Sequence, residues 1–332
     1  MRLRRSQQLL GLAFVGLGVL AAGCAGAPSE SPTHGALVVA AAESHAPLAA
    51  REAALFASLY SGATVRVQKT TTREAYVALL ADSVRLAVVD RPPNPEEQQA
   101  IEQQGLEVQE VRVAEDGLGI FVNVANGLEN LSIEQISGLL CGRIADWRQM
   151  GGAGLSGAVT VVTTGRNSGA WELLAATFFA THGPIRPGVV AESQNDVLVR
   201  VASDPRALGV VSVAAWKQPV VPVRGGLAAA SNATAAAGWA PGVGASSLAQ
   251  RVRALAITGV DSLGQPVCHA LHQANIHRGV YPLHYPVYVV FNTKSLLAAG
   301  FSAFVASAPG QKLILESGLV PATMPVRIVQ LH

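Results

Sequence analysis

The sequence predicts an α/β protein with two lobes, mostly parallel sheets and a ligand cleft between the lobes. Residues 37–89 alternate buried-strand patterns with helical patterns in a β-α-β-α-β order. A second strand–turn–helix unit follows at Val161–Thr181, and one more strand pattern returns late, at Tyr285–Phe291. We expect the first lobe to comprise residues 36–114 and 286–332, and the second lobe residues 115–285.

Three strand candidates follow one another in the first lobe: Leu37–Ala41, Thr64–Gln68 and Leu86–Val89. The helical pattern after the first strand begins near Pro47, because proline is favoured in the first turn of a helix, and it ends at Gly62. A second helical pattern separates the second and third strands. Helical crossovers of this kind predict a largely parallel sheet.

The turns that follow these three strands contain polar side chains: Ser44, Thr72 and Asp90. In a parallel sheet the carboxyl ends of the strands share one edge, and ligands bind at that edge. We therefore expect these residues to lie close together in a binding site. Each of them also has a purely structural interpretation. Ser44 and Thr72 would then be helix caps, and Asp90 would be a turn residue that pairs with Arg91.

The middle of the chain leads from one lobe to the other. Pro95–Gln104 is a polar helix, and Val108–Val113 and Leu118–Val124 are two strand patterns joined by Glu115–Gly117. Ser132, followed three residues later by a Gln, predicts a capping box at the start of a short helix.

The unit at Val161–Thr181 is typical of an anion-binding loop. A short β-branched strand is followed by turn residues, and Ser168 is a good N-cap for the helix behind it. Backbone N–H groups, the Ser168 hydroxyl and Arg166 would then face one small volume, which suits a compact anion. The alternative is an ordinary capped helix in an α/β domain.

Composition limits the classes of function. The length of 332 residues suggests about two domains, and 50% hydrophobic with 14% charged residues predicts a large core. The formal charge is +2; without Arg2, Arg4 and Arg5, 21 basic residues face 22 acidic ones, a net of −1. No basic excess is present for nucleic acid.

The N-terminus predicts export and a lipid anchor. Positive charges at its start precede an apolar run, Leu9–Ala22, that is short for a membrane span. The junction before Cys24 resembles the bacterial lipobox, in which that cysteine is lipidated and becomes the first mature residue. We expect a lipoprotein signal peptide at 1–23, a tether at 24–35, and a mature protein held at a membrane in the periplasm or cell envelope. The alternative is a plain secretory signal.

Two further cysteines, Cys141 and Cys268, could pair outside the cytoplasm, and their spacing leaves a disulfide open. Three histidines between residues 269 and 277 lie in a loop-like stretch with no acid or thiolate cage, so we expect no metal site and no cofactor.

Several segments resemble those of the phosphate-binding proteins of ABC importers, in the broad periplasmic-binding-protein-like superfamily. Residues 136–147 (ISGLLCGRIADW) look like that family's segment ending in Gly, a basic residue, Ile and Trp. Residues 167–170 (NSGA) are similar to its Gly-Ser-Gly-Thr anion loop, and residues 207–212 (ALGVVS) to its Ala-Ile-Gly-Tyr strand. Residues 281–283 and 309–312 match further signatures. The resemblance covers most of the mature chain and implies the type II two-lobed fold of that superfamily.

The resemblance also implies which residues bind the ligand. Ser44 and Thr72 fall where the family supplies a hydroxyl in its first and second turns, and Asp90 falls where some members place a ligand-contacting Asp. Ser168 and Gly169 match the anion loop.

Two positions depart from the family pattern. Thr164 stands where the family's Arg is expected, with Arg166 displaced by two residues, and Ala170 replaces the Thr of the anion loop. We expect Arg166 to act as the cation of the site, because a buried dianion without a cation is costly.

The predicted function is that of a lipid-anchored solute-binding protein, which closes two lobes over inorganic phosphate or a similar oxyanion and delivers it to an ABC permease. The alternative is a surface or signalling lipoprotein that keeps the fold with an altered or lost ligand. A hydrolase is not expected, because Ser168 does not lie in a Gly-x-Ser-x-Gly motif and no His–Asp pair accompanies it in chain order.

Overall fold

The computed structural model describes residues 30–151, 154–217, 248, 250–260 and 264–323. The strands in these residues are β1 (Gly35–Ala42), β2 (Ala63–Thr70), β3 (Leu86–Val89), β4 (Val108–Asn123), β5 (Asn130–Ser132), β6 (Thr160–Thr164), β7 (Val189–Ala191), β8 (Ala207–Ser212), β9 (Val252–Val260), β10 (Pro266–His269), β11 (His284–Asn292) and β12 (Val320–Pro321). The helices are α1 (Ala46–Leu59), α2 (Thr72–Leu80), α3 (Pro95–Gln103), α4 (Ile133–Leu140), α5 (Gly169–His182), α6 (Gln194–Ser203), α7 (Val213–Trp216), α8 (Gln273–His277), α9 (Leu296–Ala306) and α10 (Ala308–Glu316), with a 3-10 helix at Trp147–Met150.

These strands form one connected sheet. Its main order is β2-β1-β3-β11-β4-β8-β6-β7, and β12 and β9 also pair with β4. β1 is parallel to β2 and β3, and β6 is parallel to β7 and β8. β11 is antiparallel to both of its neighbours, β3 and β4. The predicted α/β fold with a late returning strand is confirmed. The sheet is mixed and not mostly parallel as predicted, because β4 and β11 pair antiparallel with all of their neighbours.

β4 joins the two lobes without a break. This strand of 16 residues pairs with β11 as far as Gly117 and with β8 from Leu118 onward. We call the strands β1, β2, β3, β11, β12 and the first half of β4 the first lobe, and the second half of β4 with β6–β9 the second lobe. The prediction that two separate strands are joined at Glu115–Gly117 was wrong: the backbone stays extended there, because these residues pair with β11. The predicted residue bounds of the lobes stay a prediction.

Side-chain caps set the starts of several helices. The capping box predicted for α4 is confirmed: Ser132 Oγ accepts from the Gln135 N–H at 3.2 Å, and Gln135 Oε1 accepts from the Ser132 N–H at 2.8 Å. In α2 the cap is Thr71, which forms a capping box with Glu74. The Thr72 hydroxyl is therefore not used as the cap and is directed elsewhere.

Large apolar side chains fill the core on both sides of the sheet. In α5 the side chains of Trp171, Leu174 and Phe178 are all buried. Trp147 is fully buried, and its Nε1–H donates to the Arg206 carbonyl at 2.9 Å. Buried indole N–H groups need such a partner.

The segment before β1 packs on the fold. Glu30 Oε1 accepts from the Ser295 hydroxyl at 2.6 Å and from the Leu297 N–H at 2.7 Å, at the start of α9. Glu30 is thus held at the start of α9, and the predicted tether, 24–35, stays a prediction. Residues 1–29 lie outside the described part, and with them the predicted signal peptide and Cys24.

Among the helices that the structure describes, none combines the length and the apolar character needed to cross a bilayer.

Cys141 and Cys268 are both free thiols. Cys141 is buried, and its Sγ donates to the Gly183 carbonyl at 3.2 Å, whereas Cys268 is exposed. The disulfide that the sequence left open between them is not formed.

One acidic side chain is buried without compensation. Glu52, in α1, is 2% exposed, and neither of its carboxylate oxygens has a hydrogen-bond partner among the described residues. Burial raises the pKa of Glu52 to about 9, although Arg51 opposes the shift. The native state therefore keeps a proton that the unfolded chain releases, and the resulting cost grows as the pH rises from about 4.5 towards 9.

Glu52→Gln is accordingly expected to raise the free energy of unfolding by about 1 to 3 kcal/mol at pH 8 and by about zero at pH 4. Urea unfolding at both pH values measures this. Glu102→Gln, which changes an exposed glutamate on α3, serves as the control and should have little effect at either pH. A gain for Glu52→Gln that does not depend on pH would contradict the charge-burial explanation.

Candidate functional site

The carboxyl ends of the first three strands bring the predicted polar residues together. Ser44, Thr72 and Asp90 are 2%, 0% and 6% exposed. The Thr72 hydroxyl donates to Asp90 Oδ2 at 3.3 Å, and the Ser44 hydroxyl lies 3.5 Å from Asp90 Oδ1. Both hydroxyls thus face one carboxylate at the edge of the first lobe.

The start of α5 meets this carboxylate from the second lobe. A Cβ added to Gly169 would lie only 2.0 Å from Asp90 Oδ2, so the Gly169 backbone is in direct contact with Asp90. The N-terminus of a helix favours negative charge, because its first N–H groups have no partner within the helix. The structure therefore places an anionic group at the predicted anion loop, and that group is the Asp90 side chain itself.

Ser168 stabilises the anion loop. Its Oγ accepts from the Trp171 N–H at 3.2 Å, which confirms the predicted N-cap, and it donates to the Gly165 carbonyl at 2.8 Å. Thr164, at the position where an Arg was expected, is buried and lies 2.7 Å from Ser168 Oγ. Arg166 is exposed in the same turn. Its assignment as the cation of the site stays a prediction.

Arg91 bridges the two lobes beside the site. Its guanidinium donates to both carboxylate oxygens of Glu97 in α3, at 2.6 and 3.0 Å, and also to Glu172 in α5, at 3.2 Å from Nη2. Burial lowers the pKa of Arg91, but these hydrogen bonds and charges outweigh burial and raise it. The guanidinium is thus occupied by two carboxylates, and the alternative in which Arg91 is the partner of Asp90 does not hold.

The partner of Asp90 is His45, which the sequence analysis did not single out. His45 is fully buried and lies directly after Ser44. Its Nδ1 is 2.6 Å from Asp90 Oδ1, and its Nε2 is 3.2 Å from Asp116 Oδ2. Burial alone disfavours a charged imidazole, but the two carboxylates outweigh it and raise the pKa of His45 to about 10. No period or motif in the sequence marks this residue.

Asp116 is the second residue that sequence analysis missed. It is fully buried in β4, where the strand passes from one lobe to the other. Its carboxylate accepts from the Tyr285 hydroxyl at 2.9 Å, from the Gly117 N–H at 2.6 Å and from the Ala214 N–H at 3.3 Å. A hydrogen-bonded chain therefore runs from the Asp90 carboxylate through His45 to the junction between the lobes.

The described residues contain no group of three or more histidine, cysteine or acidic side chains arranged to hold a metal ion. The arrangement around Asp90 instead consists of hydroxyl donors, a helix N-terminus and one buried histidine. Hydroxyl donors and a helix N-terminus are groups that can donate hydrogen bonds to an anion.

The chain belongs to the PBP superfamily, because a family model described as a PBP superfamily domain matches residues 26–309. A similar protein is the phosphate-binding protein PstS of Pseudomonas aeruginosa, which is 25% identical over 350 residues; the match covers 99% of this chain and 98% of that protein. The resemblance found in the sequence is thereby confirmed.

Solved structures share the fold. A protein from Clostridium perfringens, solved with bound phosphate, has a TM-score of 0.67 at 16% identity, over 87% of this chain and 100% of that one. An ABC-type phosphate transport receptor from Vibrio cholerae has a TM-score of 0.60 at 21% identity, over 87% of this chain and 100% of that chain.

Proposed function

We propose that this protein is an exported, lipid-anchored solute-binding protein that captures inorganic phosphate or a similar oxyanion between its lobes and delivers it to an ABC permease. The observation that carries the proposal is the convergence on Asp90 of two buried hydroxyls, from Ser44 and Thr72, and the N-terminus of α5. The name of the Pseudomonas relative supports phosphate as the ligand.

The oxyanion binds beside the contact between Asp90 and the start of α5. There the backbone N–H groups of α5 and the hydroxyls of Ser44 and Thr72 replace its water shell. Arg166, which is exposed in the same turn, approaches the ligand as the lobes close. Binding needs no chemical step.

Asp90 makes the site selective for a protonated anion. An ionised carboxylate only accepts hydrogen bonds, and phosphate near neutral pH still has an O–H to donate. Sulfate has no proton to give, so its oxygens would face the carboxylate unpaired, at a cost of about 1 to 3 kcal/mol or more in a dry site. Phosphate and arsenate are therefore the ligands that this site favours.

Calorimetric titration at pH 7 tests the proposal. Phosphate is expected to bind at least about 100-fold more tightly than sulfate, which corresponds to about 3 kcal/mol. Asp90→Asn is expected to reduce this ratio below about 10-fold, because an amide can donate to either anion while still accepting from His45.

Asp82→Asn is the matched control, since it changes an exposed carboxylate that pairs with Arg85 on the surface, and it should leave both affinities unchanged. Equal affinities of the unmodified protein for phosphate and sulfate would remove Asp90 from the site, and binding of neither anion would refute the proposed function.

Export and anchoring rest on the N-terminal sequence. The positive residues at the start, the short apolar run and Cys24 support secretion with lipidation of that cysteine. A lipid anchor keeps the binding protein near the membrane, where the permease takes up the ligand.

A further inference from the structure

We propose that His45 determines the anion selectivity of this site, because as an imidazolium between Asp90 and Asp116 it keeps Asp90 an ionised hydrogen-bond acceptor. The inference rests on the proposed function and names the residue that sets its specificity. In the proposed site His45 does not contact the ligand, and it acts on the ligand through Asp90.

The geometry fits a doubly protonated ring. Each ring nitrogen of His45 faces a carboxylate oxygen, at 2.6 Å for Asp90 and 3.2 Å for Asp116. A neutral imidazole has one N–H, so one nitrogen would present its lone pair to an acceptor, whereas an imidazolium presents an N–H to both. The raised pKa of His45, about 10, agrees with this charge.

The groups around His45 support the positive charge. Besides the two carboxylates, Ser44 lies 3.0 Å from Nδ1, and the Tyr285 ring packs edge-on with its centroid 6.3 Å from that of His45. Tyr285 is a neutral phenol whose hydroxyl donates to Asp116, since burial raises its pKa well above the ordinary value. His45 is thus placed between two negative groups and beside two neutral ones.

Other charges near Asp90 do not replace His45. Glu43, two residues earlier, is mostly buried; burial raises its pKa, with Lys69 opposing and Asp90 adding to the shift. Arg91 is held by Glu97 and Glu172. Among the described residues, His45 is therefore the cationic side chain that pairs with Asp90, and the N-terminus of α5 adds a partial positive charge.

This neutralisation decides how Asp90 behaves towards a ligand. A carboxyl group that faces a bound anion in a dry site tends to take up a proton, because two negative charges repel each other. A protonated Asp90 would donate a hydrogen bond and accept sulfate as readily as phosphate. The imidazolium opposes that proton uptake, so discrimination against sulfate persists at acidic pH.

Competition between phosphate and sulfate at pH 5.5 and pH 8 tests the inference in the full chain and in His45→Gln. The unmodified protein should keep its preference of about 100-fold or more at both pH values. In His45→Gln the preference should fall at least about tenfold at pH 5.5 and largely recover at pH 8. At a given pH the ionisation of phosphate is the same in the experiments on both proteins. A difference between the unmodified protein and His45→Gln therefore comes from the site around Asp90. His277→Gln, at an exposed histidine of α8, should behave like the unmodified protein.

Nitrogen-15 NMR of the histidine rings measures the protonation of His45 directly. This measurement needs no ligand and no variant. In the unmodified protein without ligand, one ring should stay doubly protonated at pH 8. If His45 is neutral in a protein that binds phosphate, this inference is wrong while the proposed function stands. The same holds if His45→Gln keeps the unmodified protein's preference for phosphate over sulfate at pH 5.5. A charged His45 in a protein that binds neither anion would overturn the selectivity role together with the proposed function.

Discussion

Asp116→Asn is expected to lower the free energy of unfolding by about 3 to 5 kcal/mol at pH 6.5, the largest stability effect of the substitutions considered. Asp116 is fully buried, and the substitution removes one carboxylate from the imidazolium of His45. An amide can still accept from the N–H groups of Gly117 and Ala214, but it cannot neutralise the buried charge. Urea unfolding of both proteins measures the difference.

The loss should depend on pH in a defined direction. The folded-state pKa of His45 is raised, so its contribution to stability is fully present below about pH 6.5 and is lost as the pH rises through about 10. The cost of Asp116→Asn should therefore shrink at pH 10.5. Asp196→Asn, at a partly exposed carboxylate that pairs with Arg200, is the control and should cost less than about 1 kcal/mol. A cost that is the same at both pH values would show that the ion pair contributes nothing.

Gly169→Ala is expected to have the largest effect on ligand binding, a loss of about 100-fold or more in phosphate affinity. The added methyl group would lie 2.0 Å from Asp90 Oδ2 and 2.5 Å from its Cβ, so either Asp90 or the start of α5 must move. Moving either one separates the hydroxyls of the first lobe from the N–H groups of the second. Calorimetry measures the affinity, and small-angle scattering reports whether the lobes still close on phosphate.

Gly165→Ala is a closely matched control in the same turn. Its added Cβ would meet only Val190 Cγ1, at 3.9 Å, which is an ordinary contact. Phosphate affinity should therefore change little. If Gly169→Ala binds phosphate as tightly as the unmodified protein, the contact between α5 and Asp90 is not part of the binding site.

Local patterns in the sequence were sufficient for most of the fold. Strand and helix periodicity, the cap at Ser132 and the strand–turn–helix unit before α5 all depend on residues near one another in the chain. The continuous strand β4 was missed because Glu115–Gly117 is a typical turn sequence. What keeps that segment extended is the pairing with β11, whose residues come much later in the chain.

The difference between local and distant contacts also explains which residues of the site could be predicted. Ser44, Thr72 and Asp90 could be placed together because parallel strands end at one edge. His45 and Asp116 could not, because their contact joins residues 71 positions apart. The contact of Arg91 was likewise not predictable, since its partner Glu172 lies 81 positions away on the other lobe. A buried charged residue in a short turn has no sequence signal until its partner is known.

The position of β11 in the sheet also decides when this chain can fold during synthesis. β11 lies between β3 and β4, although β3 ends at Val89 and β11 begins only at His284. Until residues 284–292 leave the ribosome, β3 lacks one neighbour and the first half of β4 lacks its partner in the first lobe. Because such distant pairings form slowly, we expect the first lobe to remain unfolded until β11 has been synthesised. An unfolded chain is also the form that can be threaded through a membrane, so the late strand is compatible with the export proposed above.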